Sequence, residues 1–188
     1  MYFLIALGNP GDRYKYTPHN AGWLLVDTLV PADDWQDNKY ANAHLAVVSI
    51  EGKDVMLVKP QTHMNNSGEV IAYLAREYGL TPETTIVMYD DIDFPVGVLK
   101  MFHDRGDGGH NGIKSITEHL GTGAFTRIRI GVSEDLGGGK MDKPAVLKQM
   151  DKQWLDTLLA TNAKLRKGLV RFITDGLEKA TTFLNTEE

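Results

Sequence analysis

Tyr2-Phe3-Leu4-Ile5-Ala6-Leu7, closed by Gly8-Asn9-Pro10-Gly11, is the stretch that decides the fold. An apolar run of this length ended by turn-forming residues reads as a buried strand. Working outward, Asn20 to Val30 reads as a helix, because Trp23, Val26, Asp27 and Val30 follow the three-to-four spacing of one helical face. Leu45 to Ile50 and Asp54 to Lys59 flank the polar turn Glu51-Gly52-Lys53, which predicts an antiparallel hairpin. Ser67 stands before a helical run to Tyr78, with Gly79 as its C-cap, and Thr84 to Tyr89 is a β-branched strand with Asp90 at its C-terminal end. Val98 to Phe102 and Arg127 to Val132 read as further strands, separated by the glycine loop 106–112 and a helix over 113–120. Two helices, 152–172 and 176–185, close the chain. Strands alternating with helices, plus one hairpin, predict a three-layer α/β/α arrangement with a mixed, mostly parallel sheet. Ser133 to Lys143, with Gly137-Gly138-Gly139, is linker-like but too short to separate domains, so residues 1–188 are expected to form a single domain.

The 188 residues are 42% hydrophobic, enough for one substantial core. With no cysteine, disulfides and thiolate zinc sites are excluded, and the cytoplasm is the expected compartment. The first seven residues lack a basic leader and a cleavage site, and the apolar run is too short for a membrane span. A net charge of −5 opposes diffuse binding to a polyanion, so any contact with RNA must be local.

Polar residues gather where the predicted strands end, the edge at which open α/β sheets place their sites. Four clusters stand out: Gly8-Asn9-Pro10-Gly11 with Thr17-Pro18-His19-Asn20; Lys59 to Gly68, containing Gln61-Thr62-His63-Met64-Asn65-Asn66-Ser67; Asp90-Asp91-Ile92-Asp93; and Gly108-Gly109-His110-Asn111-Gly112. Together they supply imidazole, carboxylate and carboxamides. A histidine beside a carboxylate can take a proton from water while carboxamide N–H groups stabilise an oxyanion, which suits ester hydrolysis with neither metal nor cofactor.

These clusters resemble the signature segments of the bacterial peptidyl-tRNA hydrolase family, and the resemblance runs nearly end to end, through Phe125 to Val132 and the tail Phe172 to Thr181. It implies cleavage of the ester between a peptide and the 3′ end of its tRNA, by a monomer whose partner is peptidyl-tRNA. By that resemblance His19 is the base that activates water and Asp90 orients it. Asn9, Asn65 and Asn111 contact the peptide, the ester or the tRNA end, while Tyr14, His63, Met64, His110 and Arg129 belong to the substrate and tRNA surface. The chain departs from the family pattern at Pro18, where a basic residue is usual, and at His63, where phenylalanine is usual. Phe102 replaces a basic residue associated with the tRNA 5′ phosphate, leaving Lys100, His103, Arg105 and Arg129 as nearby cations. Ser133-Glu134-Asp135-Leu136 is acidic where Gly-Arg-Pro is common.

Plainer readings exist for most of these residues. A histidine before a helix is commonly a surface residue or cap; Asp91 and Asp93 read as solvated turn residues; Asn65, Asn66 or Ser67 reads as a helix cap; and Met64 reads as core filler. The glycine loop lacks the lysine and serine of a phosphate-binding P-loop, and His44, His103 and His119 lack metal-ligand spacing. Two rival functions stay open: a non-catalytic RNA-binding paralogue, since plant organellar splicing factors share the resemblance, and a metal-dependent phosphohydrolase using Asp91 and Asp93.

Overall fold

The computed structural model describes residues 1–137 and 140–186. Its strands and helices run in the order β1 (Tyr2–Ala6), α1 (Ala21–Val26), β2 (Gln36–Asn38), β3 (Ala43–Ile50), β4 (Lys53–Pro60), α2 (Val70–Tyr78), β5 (Thr85–Pro95), β6 (Leu99–His103), α3 (Asn111–Leu120), β7 (Thr126–Asp135), β8 (Met141–Asp142), α4 (Lys152–Ala160), α5 (Asn162–Asp175) and α6 (Leu177–Asn185). The sheet order is β2-β3-β4-β1-β5-β7-β6, with β8 paired to β7. Strands β4, β1, β5 and β7 are parallel and form the centre, while β2, β3, β6 and β8 add antiparallel edges. The expected mixed α/β sheet is therefore present, with its parallel pairing at the middle.

Successive side chains of a strand point to opposite faces, and β1 shows what this does. Leu4 and Ala6 enter one core with Leu25 and Val26 of α1, Leu158 of α4, Leu165 and Leu169 of α5, and Leu184 of α6. Phe3, Ile5 and Leu7 enter the other with Val70, Ile71 and Leu74 of α2 and Ile113 and Ile116 of α3. Helices thus cover both faces, which is why the first strand can be apolar throughout. Among the described residues no helix is long and apolar enough to cross a membrane.

Several boundaries differ from the sequence reading, each for a local reason. The first helix is α-helical only to Val26; beyond it Thr28 and Leu29 donate to carbonyls three residues back, and Pro31 bars continuation. The run before α2 is a 3₁₀ helix, Met64–Glu69, entered from His63 without a side-chain cap, so neither Asn65, Asn66 nor Ser67 caps it. Instead the Ser67 hydroxyl donates to the Met64 carbonyl at 2.8 Å. Gly79 ends α2 as predicted, at φ 71° in the left-handed region. Strand β5 does not stop at Asp90: Asp90 and Asp91 pair with Ile130 and Gly131 of β7, and pairing resumes after a bulge at Pro95. The long terminal helix breaks at Thr161, whose hydroxyl and N–H both turn back to the Leu158 carbonyl, giving three closing helices rather than two. In the linker-like stretch, Ser133 to Asp135 complete β7 and Met141–Asp142 fold back on it; Gly138 and Gly139 lie outside the described residues.

Candidate active site

Loops leaving the carboxyl ends of β1 and β4 meet Asp90 on β5. Beyond β1, Asn9 is buried and locked to Asn20: the Asn9 N–H donates to Asn20 Oδ1 at 2.9 Å, and Asn20 Nδ2 donates to the Asn9 carbonyl at 3.0 Å. Asn9 Oδ1 in turn accepts the Met64 N–H at 2.8 Å. With its oxygen committed, the Asn9 amide group has only its Nδ2 donors left to offer. Gly22 makes this closeness possible, since a Cβ there would sit 2.8 Å from both the Leu7 and the Met88 carbonyl oxygens. Helix α1 therefore lies directly on the ends of β1 and β5, and carries the preceding turn, Pro18–Asn20, with it.

On that turn His19 Nδ1 lies 2.9 and 3.0 Å from the two Asp90 oxygens. The Asp90 side chain is 2% exposed and that of His19 19%, so the pair has a buried end and an open one. An ionised carboxylate only accepts, so His19 carries its proton on Nδ1 and leaves the Nε2 lone pair free as a base. His110 Nε2 lies 3.0 Å from Asp90 Oδ1. Burial of Asp90 resists ionisation, but hydrogen bonding and charge from His110, then from His19, outweigh it and hold the carboxyl well below the usual carboxylate range. These are the only three side chains among the described residues grouped closely enough for a metal set, with donor atoms within 4.8 Å of one another. The imidazole N–H groups already satisfy the carboxylate, so hydrogen bonding alone accounts for the arrangement.

The remaining predicted residues fall around this core. Met64 is buried, as its plainer reading expected, while Asn65 and Asn111 are exposed at the starts of the 3₁₀ run and of α3. The exposed His63 ring meets Tyr14 edge-on, centroids 6.3 Å apart. Arg129 is paired with Asp91, which is buried, so the solvated reading of Asp91 is corrected; Asp93 is exposed and pairs with Lys143 at 2.6 Å. Both carboxylates proposed for a phosphohydrolase thus face protein cations. Lys100 is drawn away from the cluster of cations, donating to the Asn185 carbonyl at 2.7 Å. Phe102 lies under two guanidinium groups, Arg105 at 4.8 Å and Arg129 at 5.3 Å. A cleft of ≈ 450 Å³ lined by Trp35, His44 and Lys59, among others, contains none of the predicted site residues.

Sequence reasoning assigned no role to Asn20, to Arg127 or to the segment 143–150. Arg127 is buried, donating to the carbonyls of Gly106 and Gly123 in the loops at either end of α3. The 143–150 segment crosses beside the site, its Val146 carbonyl accepting the His19 N–H at 3.2 Å and its Met150 N–H donating to the Tyr16 carbonyl at 2.9 Å. Asn20 could have been suspected from its place beside His19; the other two carry no signal apart from their tertiary contacts.

A carboxylate-oriented imidazole with an open nitrogen, on a mixed α/β sheet that also carries a carboxamide donor free of protein partners among the described residues, is equipment suited to a hydrolase. The chain belongs to the peptidyl-tRNA hydrolase family, whose model matches residues 3–188. It is 39% identical to the peptidyl-tRNA hydrolase of Caldicellulosiruptor saccharolyticus over 186 residues, covering 98% of this chain and 96% of the relative. It is 46% identical to that of Brevibacillus brevis over 136 residues, 71% of each chain. The crystal structure of peptidyl-tRNA hydrolase from Acinetobacter baumannii superposes with a TM-score of 0.85 at 26% identity, covering 100% of this chain and 96% of that one.

Proposed function

We propose that the chain hydrolyses the ester between a peptide and the tRNA 3′ end, with His19 as general base, releasing tRNA for reuse. The observation that carries this is the His19–Asp90 pair, with Nδ1 bound to the carboxylate and Nε2 left without a partner among the described residues on a partly exposed ring. His19 Nε2 takes a proton from water, and the hydroxide attacks the ester carbonyl. The tetrahedral oxyanion is met by the Asn9 Nδ2 donors, with Asn65 and Asn111 placed to hold the peptide, the bound water or the tRNA end. Collapse breaks the bond to the ribose oxygen, which leaves with the proton from His19, and the peptide is released as the carboxylic acid, which then gives its proton to bulk water. A positioned base contributes about 10²–10⁴-fold and one oxyanion donor about 10²–10³-fold, so this set is sufficient without assistance from Asp91 or Asp93.

Tyr14, His63 and Met64 form the wall beside Asn9 and Asn65, and the Arg129–Phe102–Arg105 group offers cations to tRNA phosphate. We read the chain as one domain acting as a monomer in the cytoplasm. Hydrolysis of an N-blocked aminoacyl-tRNA in the presence of EDTA, compared with His19→Ala, tests the assignment. Chelator-resistant cleavage lost in the variant supports it. Cleavage abolished by EDTA would favour a metal-dependent reaction, and RNA binding with no cleavage by folded wild type would favour the non-catalytic paralogue.

A further inference from the structure

Asp90 serves two imidazoles. Its Oδ1 lies 3.0 Å from both His19 Nδ1 and His110 Nε2, and the two rings meet edge to face with centroids 5.4 Å apart. The tautomer of His110 follows from its other nitrogen: as the N-cap of α3, His110 Nδ1 accepts the Ile113 N–H at 3.4 Å. That nitrogen carries no proton, so the proton of neutral His110 is on Nε2 and is donated to Asp90. With both nitrogens committed, His110 is placed to act on Asp90 rather than on substrate.

We propose that His110 is a positioning residue for hydrolysis: its Nε2–H fixes the Asp90 carboxylate and limits how tightly that carboxylate holds the imidazolium form of His19. The physical argument is a competition for one carboxylate: His19 Nδ1 spans both oxygens, at 2.9 Å from Oδ2 and 3.0 Å from Oδ1, and His110 claims Oδ1 as well. The positive end of the His110 N–H dipole faces that shared oxygen and draws on the charge of the whole carboxylate, which opposes a positive charge arriving on His19. A carboxylate with no other donor would pair more strongly with imidazolium and keep the base protonated to higher pH. Other ionisable groups lie further along the same strands. Tyr89, 4.9 Å from the His110 ring, is pushed up by burial and stays neutral, with Arg129, Arg127 and Asp91 beyond it; Asp93 is paired with Lys143. The inference rests on the reading of His19 as the base.

The test is the pH dependence of kcat/KM on N-blocked aminoacyl-tRNA for wild type, His110→Ala and His110→Gln. The Ala variant is expected to move the acid limb to higher pH by about half to one unit, the share of one hydrogen bond felt differently by the two states of His19. Gln, which returns an N–H near the Nε2 position, is expected to bring the limb back towards wild type. An unmoved limb with a uniform loss at every pH, or a rise in KM alone, overturns the proposal in favour of scaffolding or substrate contact. A measurement on the unaltered protein guards against misfolded variants: ¹⁵N spectra of the imidazoles should show His110 protonated on Nε2 at neutral pH, and the opposite tautomer overturns the proposal. That spectrum is independent of turnover, so failure of the base assignment, seen as retained cleavage in His19→Ala, is distinguishable from failure of this one.

Discussion

Asp90→Asn replaces one carboxylate oxygen with an NH2 group and should remove most of the catalysis. Asp90 accepts three contacts of 2.9–3.0 Å from two imidazoles. An amide has one accepting oxygen and one donating nitrogen. His110 is bound to donate because its Nδ1 is occupied by Ile113, so it claims the amide oxygen. The amide nitrogen then faces His19 Nδ1, which must accept, and the His19 proton moves to Nε2 where the attacking water would be deprotonated. The loss expected is that of a general base, about 10²–10⁴-fold in kcat, and the equivalent change in hydrolases built on a Ser-His-Asp triad costs about 10⁴. Single-turnover cleavage of N-blocked aminoacyl-tRNA reads the chemical step, and tRNA binding should change little because Asp90 is buried. A folded variant within about threefold of wild type in single turnover would refute the assignment of Asp90 as the group that sets the tautomer of His19.

Acid stability should carry the same signature. Since the Asp90 carboxyl is held below its usual range, its contribution is complete above the unfolded value, about 4, and is lost as pH falls from there towards the folded value; urea titrations should show this share of the acid slope missing in Asp90→Asn. Gly22→Ala must push α1 off the Leu7 and Met88 carbonyls, costing about 1–3 kcal/mol; calorimetry should show a lower Tm, and kcat should fall because His19 moves with the helix. Arg127→Leu strips the Gly106 and Gly123 carbonyls of their donor, and hydrogen exchange should speed up in the loop 106–109 while Asp90 and His19 remain in place. For an acidic chain making two or three phosphate contacts, log kcat/KM should fall against log salt with a slope of about −1 to −3; a slope far steeper would mean an extensive RNA surface.

The sequence was most legible where one local signal decides the outcome. The apolar run of β1, the Glu51-Gly52 hairpin and the Gly79 cap each depend on residues adjacent in the chain, and each stands where it was expected, within a residue or two. Asp90 was placed at a strand end because polar residues begin there, but pairing with β7 carries the strand on to Pro95. Arg127 reads as one more strand residue until the loops around α3 converge on it. The contact of His110 with Asp90 joins residues 20 apart, and nothing in Gly108-Gly109-His110-Asn111 reveals that the imidazole turns inward. The resemblance named His19 and Asp90 as base and partner; their spacing is a fact of the tertiary structure, since 71 residues separate them.

The segments that build the site are tied together by few groups. Asn20 holds the backbone of Asn9 through both ends of its own amide, which joins the β1 loop to the turn bearing His19. Asn9 then takes the Met64 N–H, which brings in the loop after β4. Asp90 receives His19 from that turn and His110 from the glycine loop. Each tie is buried or partly buried, where an unmade hydrogen bond is costly, so the loops are held in one arrangement rather than many. Once these bonds are made, the groups left without a partner among the described residues are the Nδ2 donors of Asn9 and the Nε2 lone pair of His19. On the proposed reading the polar network thus also selects the chemistry, since it leaves one acceptor for the proton of water and one amide to meet the charge that develops when water attacks.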